Sequence, residues 1–233
     1  NWGIYGKRYD ASGLVQGSEF RVNTVTTRDQ VFSSVAMDAD GNFVVTWSSK
    51  DQDGDNWGVY AQRYDAGGVA QGAAFQVNQT TAKEQMNSSV TLDADGDFVI
   101  TWTSKDQDGS ALGIYARQFD AAGVAKSGET LVNTTTAANQ EYSSVAMNAR
   151  GDFVVVWSGN GVGDATGVFG QRFSIANPLT FSAGDGTRDA TMTFRGTLPD
   201  INAALDGLVF SPAGGFSGLA TVTYSTSDLG NCG

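Results

Sequence analysis

Ser89-Val90-Thr91-Leu92-Asp93-Ala94-Asp95-Gly96-Asp97-Phe98-Val99-Ile100-Thr101-Trp102 reads as two β-prone runs around a short Asp/Gly loop. Glycine supplies the positive φ of a tight turn and aspartate hydrogen-bonds the local backbone, so the stretch predicts a hairpin. In the second run Phe98, Ile100 and Trp102 point one way, and Val99 and Thr101 the other. Both faces are largely apolar, as in a strand covered on both sides.

The hairpin is not alone. Trp47, Trp102 and Trp157 stand 55 residues apart, and Tyr5, Tyr60 and Tyr115, Asn23, Asn78 and Asn133, and Ser33-Ser34, Ser88-Ser89 and Ser143-Ser144 keep that spacing. A fixed period in this range marks arrays, solenoids or propellers, whose units cannot bury an apolar face alone. After Trp102 the polar loop Ser104-Lys105-Asp106-Gln107-Asp108-Gly109 leads to a third strand, Gly113 to Asp120, and a turn at Ala121-Ala122-Gly123 leads to a short fourth ending at Leu131-Val132-Asn133. Four antiparallel strands per repeat are the content of a propeller blade. The chain therefore reads as all-β: four-stranded antiparallel sheets in 55-residue repeats, β-propeller-like, with a short β-rich C-terminal segment.

The hairpins do not balance. Gly-(Ile/Val)-(Tyr/Phe) begins at Gly3, Gly58, Gly113 and Gly167, whereas Ser-Ser-Val occurs only from Ser33, Ser88 and Ser143. The array, residues 1–173, is cut out of phase into about three blade-like units, and the sequence is expected to be a piece of something longer. An open stack leaves sheet edges that invite self-association. Over 174–233 the period is lost. Ala190, Met192 and Phe194, and Ala220, Val222 and Tyr224, alternate with threonines as half-buried strands do. Pro199 to Leu205 reads as one or two helical turns stopped by Gly207, and the segment as a partial module or as closing strands.

Composition narrows the function. There are 14 Lys+Arg against 25 Asp+Glu, a formal net charge of −11, so nucleic acid and anionic membrane surfaces, which need a basic footprint, are not expected partners. No stretch approaches the roughly 20 apolar residues of a membrane span. Histidine is absent, removing the commonest general base and transition-metal ligand. The single cysteine, Cys232, has no internal partner.

The sharpest chemical pattern is Asp51-Gln52-Asp53-Gly54-Asp55, repeated as Asp106-Gln107-Asp108-Gly109-Ser110. Alternate carboxylates about a glycine turn can wrap a hard cation that takes six to eight oxygens. Asp51, Asp53, Asp55, Asp106 and Asp108 are thus candidate calcium ligands, against the plainer reading of a solvated acidic loop. Asp38-Ala39-Asp40-Gly41 and Asp93-Ala94-Asp95-Gly96 become Asn148-Ala149-Arg150-Gly151 in the third unit, a change that a turn tolerates and a cation site does not. They read as hairpin turns. Trp47, Trp102 and Trp157 end buried strands and read as core, whereas Trp2 and Trp57 lie in loops and are candidate ligand-stacking residues.

Gly58 to Gly68 and Ser89 to Trp102 resemble repeats of very large secreted bacterial surface proteins, loosely adhesins. Gly196-Thr197-Leu198-Pro199-Asp200-Ile201-Asn202-Ala203-Ala204-Leu205-Asp206-Gly207-Leu208, followed by Ser227-Asp228-Leu229-Gly230, resembles the latter half of a cadherin-like or Ig-like module. The resemblance implies an extracellular or cell-surface location, and cadherin-like modules often bind calcium. The leading expectation is a non-catalytic adhesion or structural module of a larger secreted protein, stiffened by calcium, whose partner is a surface or matrix glycan or protein. One alternative is a lectin-like propeller using Trp57 and the Asp51 to Asp55 acids. The other is a hydrolase working through acidic loop residues.

Overall fold

The computed structural model describes residues 1–174, 180–183 and 193–195, in two compact units, Asn1–Ala176 and Asn177–Gly233. All described regular structure is β.

The first unit is built from four antiparallel sheets. The first pairs β1 (Tyr5–Tyr9) with β2 (Val15–Arg21). The second orders β3 (Gln30–Met37), β4 (Phe43–Lys50), β5 (Trp57–Tyr64) and β6 (Phe75–Gln76) in sequence. The third repeats it as β7 (Gln85–Leu92), β8 (Phe98–Lys105), β9 (Leu112–Phe119) and β10 (Thr130–Leu131). The fourth holds β11 (Gln140–Met147), β12 (Phe153–Gly161) and β13 (Asp164–Phe173). This is the propeller-like, blade-per-repeat architecture that the period dictates. In the second unit β14 (Thr180–Ala183) pairs with β15 (Thr193–Arg195). Phe194 falls in β15; Ala190, Met192, the turns from Pro199 to Gly207, Ala220 to Tyr224 and Cys232 lie outside the described residues.

Alternation along each second strand explains how the sheets join. Phe98, Ile100 and Trp102 of β8 pack with Tyr115 and Phe119 against Val44, Val59, Ala61 and Val77 of the preceding sheet. Val99, Ile114, Ala116 and Val132, on the other face, meet Phe153, Val155 and Trp157 of the following one. Phe43, Val45 and Trp47 meet Ile4 and Val22 of the first sheet in the same way. The three period-marking tryptophans are buried and two of them stack on the tyrosines that share their period, Trp47 on Tyr60 and Trp102 on Tyr115, each at 6.4 Å.

Polar repeats seal the junctions. Ser88 Oγ donates to Thr46 Oγ1 at 2.9 Å, and Ser143 Oγ to Thr101 Oγ1 at 3.0 Å, each across two sheets. Between sheets, Asn78 Oδ1 accepts the Val59 amide at 2.8 Å, while its Nδ2 donates to Thr80 O and to Gln85 Oε1. Asn23 with Gln30, and Asn133 with Gln140, repeat this clip. Paired this way, buried amides escape the penalty of unmet hydrogen bonds.

The Asp/Gly hairpin turns are also explained. Asp93 Oδ1 accepts the amides of Asp95 and Asp97 at 3.0 and 2.9 Å, and Asp38 does the same for Asp40 and Asn42. Asn148 holds its turn with an identical pair of contacts to Arg150 and Asp152, so an amide oxygen replaces a carboxylate without loss.

Candidate functional site

The loops joining the second and third strands of each sheet carry most of the residues singled out by pattern. Asp51 has φ 57° and Asp106 φ 58°, a region where aspartate is among the few tolerated side chains. Their backbones close the loop: the Asp51 amide donates to Asn56 O, and the Asp106 amide to Ala111 O at 2.6 Å. Gln52 accepts the Ser49 hydroxyl at 2.7 Å, and Gln107 that of Ser104 at 2.6 Å.

Asp53 turns inward. Its Oδ2 accepts from Asn78 Nδ2 at 3.1 Å and lies only 2.3 Å from where a Cβ on Gly58 would stand. Asp108 sits over Gly113 in the same way, at 2.7 Å. At Gly58, Gly113 and Gly167, where Asp164 Oδ2 lies at 2.8 Å, a carboxylate occupies the space a side chain would take; at Gly3 the nearest atoms are Asn23 Oδ1 and the Tyr5 ring, at 3.4 Å. Burial, and then the Asp53 charge, pushes the Tyr60 hydroxyl up to about 12, so it stays neutral. Burial acts likewise on Tyr115, with Asp108 and Glu129 adding to it.

The remaining acids disperse. Asp55 Oδ2 accepts the Lys83 amide at 2.9 Å, Asp108 Oδ1 the Ser110 amide at 3.1 Å, and Asp51 pairs with Arg28 at 3.5 Å on the surface. Among the described residues no three of His, Cys, Asp and Glu form a group able to hold a metal ion. Among the described residues these five carboxylates do not converge; Asp51, Asp53, Asp55 and Asp108 are each held by a contact of their own.

The aromatic candidates separate. Trp2 is 76% exposed, its amide donating to Asp29 Oδ1 at 2.9 Å. Trp57 is half-buried. Lys50 Nζ sits 5.1 Å from its ring centroid, and Phe32 lies 6.4 Å away with the rings tilted by 53°. No ring contact joins Trp2 and Trp57 among the described residues.

Phe32 itself escaped the pattern reading. It occupies a bulge in β3 with φ 55°, and Asn87 and Tyr142 hold the same bulge in β7 and β11 at 56° and 57°. The bulge amides reach back to the preceding sheet, Asn87 to Ser48 Oγ at 3.2 Å and Tyr142 to Thr103 Oγ1 at 3.3 Å. Phe32 and Tyr142 are left 55% and 63% exposed. The available signal was positional: Phe32, Asn87 and Tyr142 differ, while the Ser-Ser pair after them and the glutamine two residues before them are kept. Bulges re-aim side chains in this manner, often beside binding sites.

Two depressions of different size lie among the described residues. Asp93, Asp97, Phe98, Phe119, Lys126 and Met147 line a cavity of about 10 Å³, room for one water. Burial raises the Asp93 carboxyl above its ordinary value, with Asp97 and Asp95 adding repulsion against the two turn amides that lower it. A larger depression of about 130 Å³ is lined by Asn133, Thr135, Trp157, Asn160, Phe169 and Gln171.

No protein-family model matches the chain, and no curated protein matches it. Solved structures do. An endo-arabinase from Bacteroides thetaiotaomicron is 13% identical with a TM-score of 0.44, covering 66% of this chain and 59% of its own. An alpha-L-arabinofuranosidase from Lactobacillus brevis is 12% identical at 0.44, covering 73% and 68%. The arabinanase Arb43A of Bacillus subtilis is 14% identical at 0.41, covering 73% and 60%. The chain thus spans 59% to 68% of the length of these three. They correct two expectations. The matched structures bear the names of glycan-cleaving enzymes, not of adhesin repeats or cadherin-like modules, so that kinship is withdrawn. The expectation of a non-enzyme, which rested on the repeated acids and the lack of a nucleophile with a base, is withdrawn too. Scores and identities this low do not by themselves assign an activity.

Proposed function

We propose that this protein is a polysaccharide-directed module that holds sugar on the rim formed by Phe32, Trp57 and the Asp51 to Asp55 loop. The exposed Phe32 ring, set beside Trp57 by a positive-φ bulge, carries the reading. Keeping an aromatic out in water on a strained backbone costs on the order of 1–3 kcal/mol, a cost met most often where the side chain binds something. Aromatic faces take the apolar faces of sugar rings, and convergent polar groups fix their orientation. Asp51 and Asp55 are exposed on the same loop, within reach of hydroxyls. The acidic balance suits work outside the cell or at its surface, and that placement is part of the proposal.

Calorimetric titration with arabinan, xylan and cellulose oligosaccharides tests it. Binding to at least one is expected, with Phe32→Ala and Trp57→Ala each weakening it by about 1–3 kcal/mol, the usual worth of a stacked ring. Silence across the panel, or binding that ignores Phe32→Ala, removes the reading.

A second reading, glycoside hydrolysis, is favoured by the two exposed carboxylates of one loop. Such chemistry needs two carboxyl groups flanking the scissile bond. Reducing ends would then appear from arabinan or xylan and vanish in Asp51→Asn and Asp55→Asn; unaltered polymer with the unmodified protein sinks it.

A further inference from the structure

Two buried polar atoms on one face of the second sheet have no hydrogen-bond partner among the described residues, the indole Nε1 of Trp47 and Oδ1 of Asp53. The Trp47 ring is 1% exposed, and both atoms are closed off from solvent. Roughly nine in ten buried polar groups are paired, by protein or by ordered water. One orphan here is a donor and the other an acceptor.

Register places the two together. In the antiparallel pair of β4 and β5, Trp47 stands opposite Tyr60 and Ser49 opposite Gly58, so all four positions share a face. Gly58 has no side chain, and the Asp53 carboxylate fills that space, with Oδ1 3.2 Å from where a Cβ would stand. Trp47 and Gly58 are diagonal neighbours, a separation within reach of an aromatic side chain. Asp53 Oδ2 accepts from Asn78 Nδ2 at 3.1 Å and from Gln76 Nε2 at 3.5 Å, which leaves Oδ1 as the unpaired acceptor on this face.

The third sheet closes the same parts differently. Trp102 stands opposite Tyr115 and Ser104 opposite Gly113, and the Asp108 carboxylate fills the Gly113 space. There Asp108 Oδ1 accepts the Ser110 amide at 3.1 Å. The second sheet has Asp55 at the Ser110 position, and Asp55 Oδ2 instead accepts the Lys83 amide, ahead of β7. Asp53 Oδ1 receives no amide. Trp102 and Trp157 also keep an unpaired Nε1, but no acceptor is left unpaired with them among the described residues.

We propose that Trp47 Nε1 and Asp53 Oδ1 form a binding site for a single buried water, which bridges them, and that the third sheet lacks this site. The chemistry selects the occupant. The indole only donates and the carboxylate oxygen needs a donor, so the occupant accepts from one and donates to the other. A metal cation cannot accept the indole proton, and an anion is repelled by the carboxylate; water does both parts. Two hydrogen bonds in series bridge about 5.5–6 Å. The water fastens the Asp51 to Asp55 loop to the sheet beneath it, whatever the rim above binds.

NMR of the full 233-residue chain tests it, with the indole signals assigned through Trp47→Phe and Trp102→Phe. A cross-peak between the Trp47 indole proton and a water held longer than the protein tumbles is expected, and none at Trp102. Asp53→Val removes the acceptor and should abolish the Trp47 cross-peak. A crystal structure of the unmodified chain should show one water within hydrogen-bond distance of both atoms, and it decides the matter if Asp53→Val does not fold. No cross-peak at Trp47 overturns the proposal, as does an equal one at Trp102. So does a Trp47 cross-peak that survives in folded Asp53→Val, or electron density that joins either atom to a protein group instead.

Discussion

Asn78 Nδ2 stands 3.2 Å from Gln85 Oε1, both side chains sealed inside the loop that carries one sheet into the next. The asparagine also takes the Val59 amide, and the Gln85 Nε2 donates to Ala82 O at 2.8 Å. Asn78→Ala strips partners from a buried amide and a buried carbonyl at once, and each orphan costs about 1–3 kcal/mol. A loss of about 2–4 kcal/mol in urea unfolding is expected; a loss near zero would mean that the clip is ornamental.

How much of this was legible in the sequence depends on the kind of residue. Trp47, Trp102 and Trp157 announced both the period and the core because a large apolar ring has one good place in a two-sided sheet. Asn78 showed in the period, but its partner did not. Gln85 lies seven positions on, an odd spacing that a strand would set on opposite faces, and only the folded loop brings the two together. The directions of the acids were hidden for a related reason. Asp53 and Asp55 sit at ligand-like spacing, yet one turns in over Gly58 and the other caps the Lys83 amide. Spacing along a chain does not report the direction of a side chain in a loop that contains positive-φ residues. Phe32 left only a positional trace before its Ser-Ser pair, because a bulge rather than a strand or helix period points it outward.

That dispersal makes a prediction about metal. Ligands that bind only the native state raise its stability by mass action. With no converging carboxylates, melting curves in millimolar calcium and in chelator are expected to superimpose. A rise of several degrees with calcium alone would show that the loop rearranges to bind it.

Asp93 sets a pH dependence. Burial raises its carboxyl in the folded state above the ordinary 3.8. The folded chain then holds a proton more firmly than the unfolded one, so this contribution is fully present below the unfolded value and is lost as pH rises through the folded value. Asp93→Asn keeps the oxygen that accepts the Asp95 and Asp97 amides, as Asn148 does in the next sheet. The variant should melt higher than the parent at neutral pH and lose that advantage on acidification below the ordinary aspartate range. A variant that melts lower at pH 7 would show that the charge itself holds the turn.

Trp102 gives the last comparison. It is fully buried between two sheets and stacked on Tyr115, and its indole Nε1 has no acceptor among the described residues. If packing is its whole contribution, Trp102→Ala should cost about 3–5 kcal/mol, the usual range for emptying an aromatic site. Trp102→Phe retains part of that volume and removes a donor that has no partner, so it should cost clearly less. Trp2→Ala, on an exposed ring, should stay within about 0.5 kcal/mol. Denaturant unfolding of the three variants separates the terms. Equal losses for the Phe and Ala variants would mean that the Nε1 proton, rather than the ring, holds this junction.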